Sequence, residues 1–463
     1  MSEPALAPRR WWYVMPVVFI TYSLAYLDRA NYGFAAAAGM ARELNIGKGM
    51  FSLIGSLFFL GYFFFQIPGA IYAQRHSVRK LVFVSLILWG AAATLTGLVT
   101  GVGALLAVRF ALGIVEAAVL PAMIIYLGNW FSRSERSRAN TLLILGNPVT
   151  ILWMSIASGY LIRSFGWRGM FIIEGAPAIL WAFAWWMLAS ETPNDARWLT
   201  AAEKAALAGR LAQEQAGLKT FGTYLETFRS REVVLLCVQY FSWSLGVYGF
   251  VLWLPSIVKE GSAAGIVATG WLSAVPFVVA IVAMLVSSFF SDRRAHRIGF
   301  IWPSLLVGAA AFVALYGVGA SNFWWSFALL TIAGAAMYAP FGPFFALIPE
   351  MFSKQVAGGA VALINSMGAL GSFVGSYAVG YLNDATGSPE SSYLLMAGAL
   401  FVAVIMTLLV GRRPGGRSGG GGGGAGRGPG RGRTSNFQRS TSNLEWTAVS
   451  PRASERGLSS SPF

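Results

Sequence analysis

The sequence predicts an all-α membrane protein with twelve transmembrane helices arranged as two six-helix bundles. Three observations predict it. Apolar runs long enough to cross a bilayer, which takes about 20 residues, recur along most of the chain. Of the 463 residues, 56% are hydrophobic and only 11% are charged, against about 25% charged in an ordinary soluble domain. Lys and Arg collect in alternate connections, the asymmetry that marks the cytoplasmic side of a membrane protein.

Twelve runs are read, at 12–36, 50–73, 81–100, 104–130, 140–162, 169–190, 233–258, 266–290, 298–318, 323–349, 356–382 and 391–411. The first is too long and too charged for a cleaved signal peptide and reads as a retained helix. The second ends in a basic turn over 69–80, and the eighth ends in another over 291–297. Two six-span halves with a basic turn at the same place in each are the plan of a carrier built from repeats. Pro148, Pro255, Pro276, Pro340 and Pro343 fall inside runs, where a kink is tolerated if a cavity or a neighbouring helix supplies the missing hydrogen bonds. Gly358, Gly359, Gly368, Gly371 and Gly375 give the eleventh run a surface for close packing or for sliding.

The expected organisation is a first bundle over 1–190, a linker over 191–232, a second bundle over 233–411 and a tail over 412–463. In the linker, Thr200 and Glu203 fit a capping box. Leu199, Leu207 and Leu211 make one stripe of a short amphipathic helix. The tail is rich in Gly and Arg, cannot bury a core and reads as a solvated low-complexity segment.

A net charge of +15 would suit nucleic acid, but its distribution points elsewhere. With the N-terminus inside, 18 of the 34 Lys and Arg fall in cytoplasmic connections, nine in the tail and five on the outer side. Arg29 and Arg109 are embedded in apolar runs. Both termini are therefore expected in the cytoplasm. Cys237 is the single cysteine, so no internal disulfide forms. His76 and His296 are the only histidines and both lie in loops, which leaves no His/Cys metal site. No Walker sequence is present and no Gly-x-Ser-x-Gly elbow precedes a helix, so neither ATP-driven pumping nor an enzyme is supported.

The chemistry is expected where charge is buried. Asp28 and Arg29 lie in the first run, and Arg109 and Glu116 in the fourth. A charge at mid-membrane costs at least about 2.5–3.5 kcal/mol and usually marks a solute or proton path. Arg109 and Glu116 are seven residues apart, roughly 10 Å along one helix face, whereas Asp28 and Arg29 diverge by about 100°. An Arg suits a carboxylate through its planar fork. Asp28 or Glu116 suits a coupling proton because burial disfavours the charged form. Static ion pairs that lock helices together are the alternative. Glu174 is expected to pair with Arg168 near a span end, and Glu350 reads as a solvated end or a gate residue. Asn31, Tyr62, Gln66, Asn147, Gln239, Asn365 and Ser366 could bind a hydroxylated solute or each other.

Several stretches, in order, resemble the major facilitator superfamily, and within it the anion:cation symporters of organic and sugar acids. They are 26–31 (Tyr26, Leu27, Asp28, Arg29, Ala30, Asn31), 109–117 and 130–136. Trp167, Arg168, Phe171, Glu174 and Gly175, then 248–255 and 358–368, complete the set. The resemblance covers about residues 12–411 and implies the major facilitator fold. It also implies proton-coupled import of a carboxylate across the bacterial cytoplasmic membrane, with no cofactor beyond the proton gradient.

On this reading Arg29 or Arg109 meets the anion, and Asp28 and Glu116 take protons. Tyr62, Asn147 and Asn365 contact the solute, and Phe345 stands where the family often has tryptophan. The turn at 69–80 resembles the superfamily's cytoplasmic gate, with Arg75 and Arg79 in the first half and Asp292 and Arg293 in the second. Gln74 and Ser77 replace the usual acid and second glycine, while Asp292 keeps the acid. The expected partners are a small carboxylate, protons and lipid, with no nucleic acid, and a monomer is expected. An aromatic-acid carrier, an antiporting exporter and a non-transporting membrane sensor are the competing readings.

Overall fold

The computed structural model describes residues 8–216, 230–294, 296–319, 322–351 and 354–411. Inside helices it leaves out the side chains at 28, 74, 133, 134, 137, 215, 216, 349, 350 and 354–358. The tail, part of the linker, and the Glu350 side chain therefore lie outside the described residues. Every regular element among the described residues is helical. The first half contains α1 (Arg9–Ala37), a single turn α2 (Met40–Glu43), α3 (Lys48–Arg75), α4 (Val78–Leu98), α5 (Val102–Glu116), α6 (Val119–Trp130) and α7 (Arg133–Leu188). A surface helix α8 (Ala201–Ala216) follows. The second half contains α9 (Arg231–Ser262), α10 (Ile266–Arg294), α11 (Ile298–Val318), α12 (Phe323–Tyr338), α13 (Phe341–Met351), α14 (Lys354–Thr386) and α15 (Glu390–Gly411).

The twelve expected spans are present, with three local differences. The fourth is interrupted between α5 and α6 because Pro121 has no N–H for the carbonyl of Ala117. The tenth is interrupted between α12 and α13 for the same reason, Pro343 facing the carbonyl of Ala339. The fifth and sixth form the two arms of α7, which reverse at Gly166 (φ 69°, ψ 176°), a conformation only glycine adopts readily. The linker helix has the expected capping box, in which Thr200 N and Oγ1 donate to Glu203 Oε2 at 2.8 and 2.9 Å. Leu199 and Leu207 are buried beneath it.

Helix spacing is set by glycines. On α4, Gly90 and Gly97 meet the second arm of α7, and Gly175 on that arm meets Thr94. On α5, Gly113 lies against the backbone of Phe58 on α3, where any Cβ would collide with the Phe58 carbonyl. Gly113 is one turn before Glu116, so this contact fixes the depth and direction of that acid. Gly113→Ala is expected to destabilise the fold by about 1–3 kcal/mol, the usual cost of overpacking. A lowered melting temperature of the detergent-solubilised chain checks this.

Two faces of the molecule differ. One carries the turns at 75–80, 131–138, 189–201 and 291–297 and is rich in Arg. The opposite face carries 38–48, 99–101, 163–168, 259–265 and 384–390. The halves meet along α1 with α9, α3 with α14, and the first arm of α7 with α10.

Candidate functional site

The centre of the first half is an ion pair between two helices. Arg29 on α1 donates from Nη2 and Nε to Glu116 Oε2 on α5, at 3.2 and 3.4 Å. The Glu116 side chain is fully buried and that of Arg29 is 8% exposed. Burying both ions costs several kcal/mol each, which mutual attraction offsets only while both remain. Aromatic faces make up the rest of the Arg29 environment. The guanidinium carbon lies 4.4 Å from the Tyr26 ring centre, 4.9 Å from Tyr62 and 5.2 Å from Phe58. Such contacts stabilise a desolvated cation by up to about 2 kcal/mol each.

Arg109 belongs to the same cluster. It is buried over the Tyr32 ring at 4.7 Å and shares Phe58 with Arg29, at 5.6 Å. Both embedded arginines thus stand near one phenyl ring and Glu116 joins them through Arg29, which gathers three of the four expected charges. Asp28 belongs to α1, but its side chain lies outside the described residues.

The cluster reaches the second half through phenols. Tyr26 lies next to Tyr22 (O–O 3.4 Å) and to Tyr248 of α9 (3.5 Å), and Phe59 packs on Tyr248 at 4.5 Å. Deeper between the halves, Ser366 on α14 donates to Gln66 Oε1 on α3 at 3.3 Å. Of the other expected solute contacts, Asn147 is buried, and its Oδ1 has no hydrogen-bond partner among the described residues. Asn365 is buried beside Ser366, and half-buried Phe345 packs on Tyr240 at 5.7 Å. None of these three touches the Arg29–Glu116 pair among the described residues. Tyr26 and Tyr248 fall in the stretches that carry the family resemblance but have no role assigned from sequence, and Phe58 is not singled out there. Tyr26 was findable, since it lies three residues before Arg29 on one helix face.

The expected Glu174–Arg168 pair is not formed. Arg168 Nε donates to Glu43 at 3.1 Å, and its Nη1 caps α4 through the carbonyls of Gly97 (3.2 Å) and Val99 (2.7 Å). Trp167 Nε1 donates to the other Glu43 oxygen at 2.6 Å. That indole donor is the main reason the Glu43 carboxyl is held below its ordinary range, with Arg168 adding to it and partial desolvation opposing it. Glu174 instead accepts from Asn31 Nδ2 at 3.0 Å and from Ser158 Oγ at 2.7 Å. Residues 168 and 174 are six apart, which turns their side chains about 240° from each other.

The gate residues remain within their own halves. Arg75 is exposed, and the Arg79 guanidinium donates to the Trp186 carbonyl and stacks on its ring at 4.4 Å. The N-terminus of α4 is held by Glu191, which accepts from Ser77 Oγ and from the N–H groups of Val78 and Arg79 at 2.5–2.9 Å. Asp292 pairs with Arg297 of the same turn, and Arg293 covers Phe289. On the Arg-rich side of Gln66–Ser366, no ion pair or hydrogen bond joins the halves among the described residues.

The opposite face is clamped. Asp384 of α14 accepts from the backbone N–H of Gly49 at the start of α3, at 3.1 Å, and Lys259 of α9 donates to the Ala37 carbonyl at the end of α1. Each charge sits on the complementary end of a helix from the other half, worth about 0.3–1 kcal/mol and up to about 2 when partly buried. Asp384→Asn with Lys259→Met is expected to shift the open-to-closed ratio of this face by about tenfold. Spin labels at Arg42 and Glu390 check it through a new longer-distance population. An unchanged distance distribution would count against the clamp.

Comparison with known proteins agrees with this architecture. A family model described as Major Facilitator Superfamily matches residues 18–268 and 259–453. A protein of Agrobacterium vitis named "Putative tartrate transporter" is 31% identical over 406 residues, spanning 86% of this chain and 90% of its own. A "Quinolone resistance transporter" of Acinetobacter baumannii is 26% identical over 405 residues, spanning 86% and 93%. A crystal structure of a bacterial homolog to the human lysosomal transporter Spinster, inward-facing and occupied, covers 88% of this chain and 97% of its own. It superposes with a TM-score of 0.68 at 17% identity, a likeness of fold.

Proposed function

This chain belongs to the major facilitator superfamily of membrane transporters, and on that footing we propose that it carries an organic carboxylate into the cytoplasm together with protons. The observation that carries the reading is the Arg29–Glu116 pair at 3.2 Å, inside a cage of three aromatic rings. A guanidinium with a carboxylate partner is an anion site already filled by the protein's own acid. Protonating Glu116 weakens its hold on Arg29 and frees the cation for the carboxylate of the solute. Anion and proton then bind together, and by linkage each strengthens the other. Affinity for the acid therefore rises as the pH falls. The loaded site is closer to neutral and can reorient without presenting bare charge to lipid.

Asn147 supplies a buried amide oxygen for a solute hydroxyl, Tyr62 and Asn365 supply further polar contacts, and Phe345 supplies an apolar one. Asp28 serves as a proton site beside Arg29. The relative named for tartrate supports a small hydroxylated dicarboxylate as the first acid to try.

On this reading the Arg-rich face lies in the cytoplasm and the membrane is the inner membrane of a bacterium, which the excess of Lys and Arg on that face supports. The clamp at the opposite face then makes this the inward-facing state, and Arg75, Arg79, Asp292 and Arg293 the groups that approach one another when the carrier turns outward. No bound cofactor is needed, since the proton gradient is the driving force.

Export by proton antiport is the second reading, favoured by the likeness to the quinolone resistance transporter. Uptake of labelled tartrate, D-galactonate and benzoate into proteoliposomes separates the two. Symport predicts accumulation of one acid when the outside is more acidic than the lumen. Accumulation only under the reverse gradient would establish antiport and overturn the proposal.

A further inference from the structure

We propose that Glu174 is a second proton-carrying carboxyl of the transporter, standing between the clamped face and the Arg29–Glu116 pair; this rests on the proton-coupled reading above. Its position makes the first argument. The second arm of α7 starts at the clamped face, where Trp167 and Arg168 hold Glu43. Glu174 is seven residues further in, roughly 10 Å along the helix. Glu116 is fourteen residues in from Val102, where α5 leaves the same face, roughly 21 Å. A proton arriving from that side reaches the level of Glu174 first.

Second, the surroundings of Glu174 suit both protonation states. Glu174 is 6% exposed. As a carboxylate it accepts from Asn31 Nδ2 at 3.0 Å and from Ser158 Oγ at 2.7 Å. A hydroxyl can exchange donor and acceptor roles by rotating. Ser158 Oγ also lies 3.4 Å from Met154 Sδ, in hydrogen-bonding geometry. When Glu174 takes a proton, Oε1 donates to Ser158 Oγ and the serine hydroxyl turns to the Met154 sulfur. Asn31 keeps its bond to Oε2 throughout. Among Glu174, Ser158, Met154 and Asn31 the proton is gained or lost with each of these donors still directed at an acceptor.

Third, Glu174 is connected to the other embedded charges. Asn31 lies on α1 two residues after Arg29 and three after Asp28, so the carboxyl is tied to the charged turn of that helix. Arg109 reaches the same stretch of α1 over Tyr32. Two neighbouring elements, α4 and α10, add no ionisable side chain at this level. Against Gly175, α4 presents Thr94 and has no ionisable side chain between Lys80 and Leu98. Across the first arm, α10 has none before Asp292. On α7 itself Arg163 and Arg168 lie toward the face.

The test uses the full chain in lipid. Infrared difference spectra across a pH titration are recorded for the unaltered protein, Glu174→Gln, Glu174→Asp and Ser158→Ala. The proposal expects a carboxyl C=O band that is absent in E174Q and displaced in pH by E174D and S158A. In proteoliposomes E174Q keeps exchange of the carried acid at equal pH but loses proton-driven accumulation at least tenfold. Spectra identical in E174Q and the unaltered chain overturn the proposal, as does proton-driven accumulation that E174Q leaves intact. So does a loss of exchange and accumulation in parallel with an unmoved pH profile, the signature of a structural bond. Proton-independent transport by the unaltered chain would instead overturn the symport reading itself. Should E174Q fail to insert, the E174D and S158A titrations decide the matter.

Discussion

Glu116→Gln is expected to abolish proton-driven accumulation while leaving the anion bound, with a loss of concentrative uptake of a hundredfold or more. Glutamine imitates the protonated acid in size and charge. Its carboxamide cannot hold Arg29 as the carboxylate does at 3.2 Å, so the cation is released to the solute permanently. Binding measured on the purified protein then remains, and loses the rise toward acid pH that linkage gives the unaltered site. Exchange of labelled for unlabelled acid across the membrane persists, because it needs reorientation of the loaded carrier only. If the pair merely locked α1 to α5, the same substitution would remove a buried charge partner at about 3–5 kcal/mol. Binding, exchange and melting temperature would then all fall together. Isothermal titration beside counterflow distinguishes the outcomes.

Arg29→Lys is expected to weaken binding of the acid by about 10- to 100-fold without changing the formal charge. The arginine presents two donors to one carboxylate oxygen and lies within 5.2 Å of three ring centres. An ammonium is a compact, strongly hydrated point charge without the planar fork. Losing one charge-assisted hydrogen bond costs about 1.5–3 kcal/mol. Arg109→Lys is expected to cost less in affinity, because its guanidinium is linked to the pair through the shared Phe58 ring. Dissociation constants of the two variants, compared in the same lipid, check the order; equal losses would mean that the two arginines hold the anion jointly.

The architecture was legible because apolar length and charge asymmetry are properties of the chain itself. So was the importance of the embedded charges, since bilayer energetics make each one expensive wherever it points. Which charges meet was not legible. Helix spacing places Arg109 and Glu116 on one face, but roughly 10 Å apart along the axis, and Arg29 from another helix closes on the acid instead. That choice depends on Gly113 bringing α5 against the backbone of α3, a contact with no local signal. Glu174 was expected beside Arg168 on nearness in sequence alone, against the helical turn that separates them. Asp384 on Gly49 and Lys259 on Ala37 join residues hundreds of positions apart. Each reads, on its own, as an ordinary charge at a helix end. The capping box at Thr200 and Glu203 was legible because both partners fall within one turn.

In the proposed cycle the incoming acid and a proton trade places with an internal ion pair. Proton uptake can be followed with a pH-sensitive dye in weakly buffered solution as the transported acid is added to the purified protein. Release of Glu116 from Arg29 predicts that binding draws protons from the medium and that Glu116→Gln draws measurably fewer. Binding of the acid with no change in proton occupancy, or the same uptake in both proteins, would contradict it.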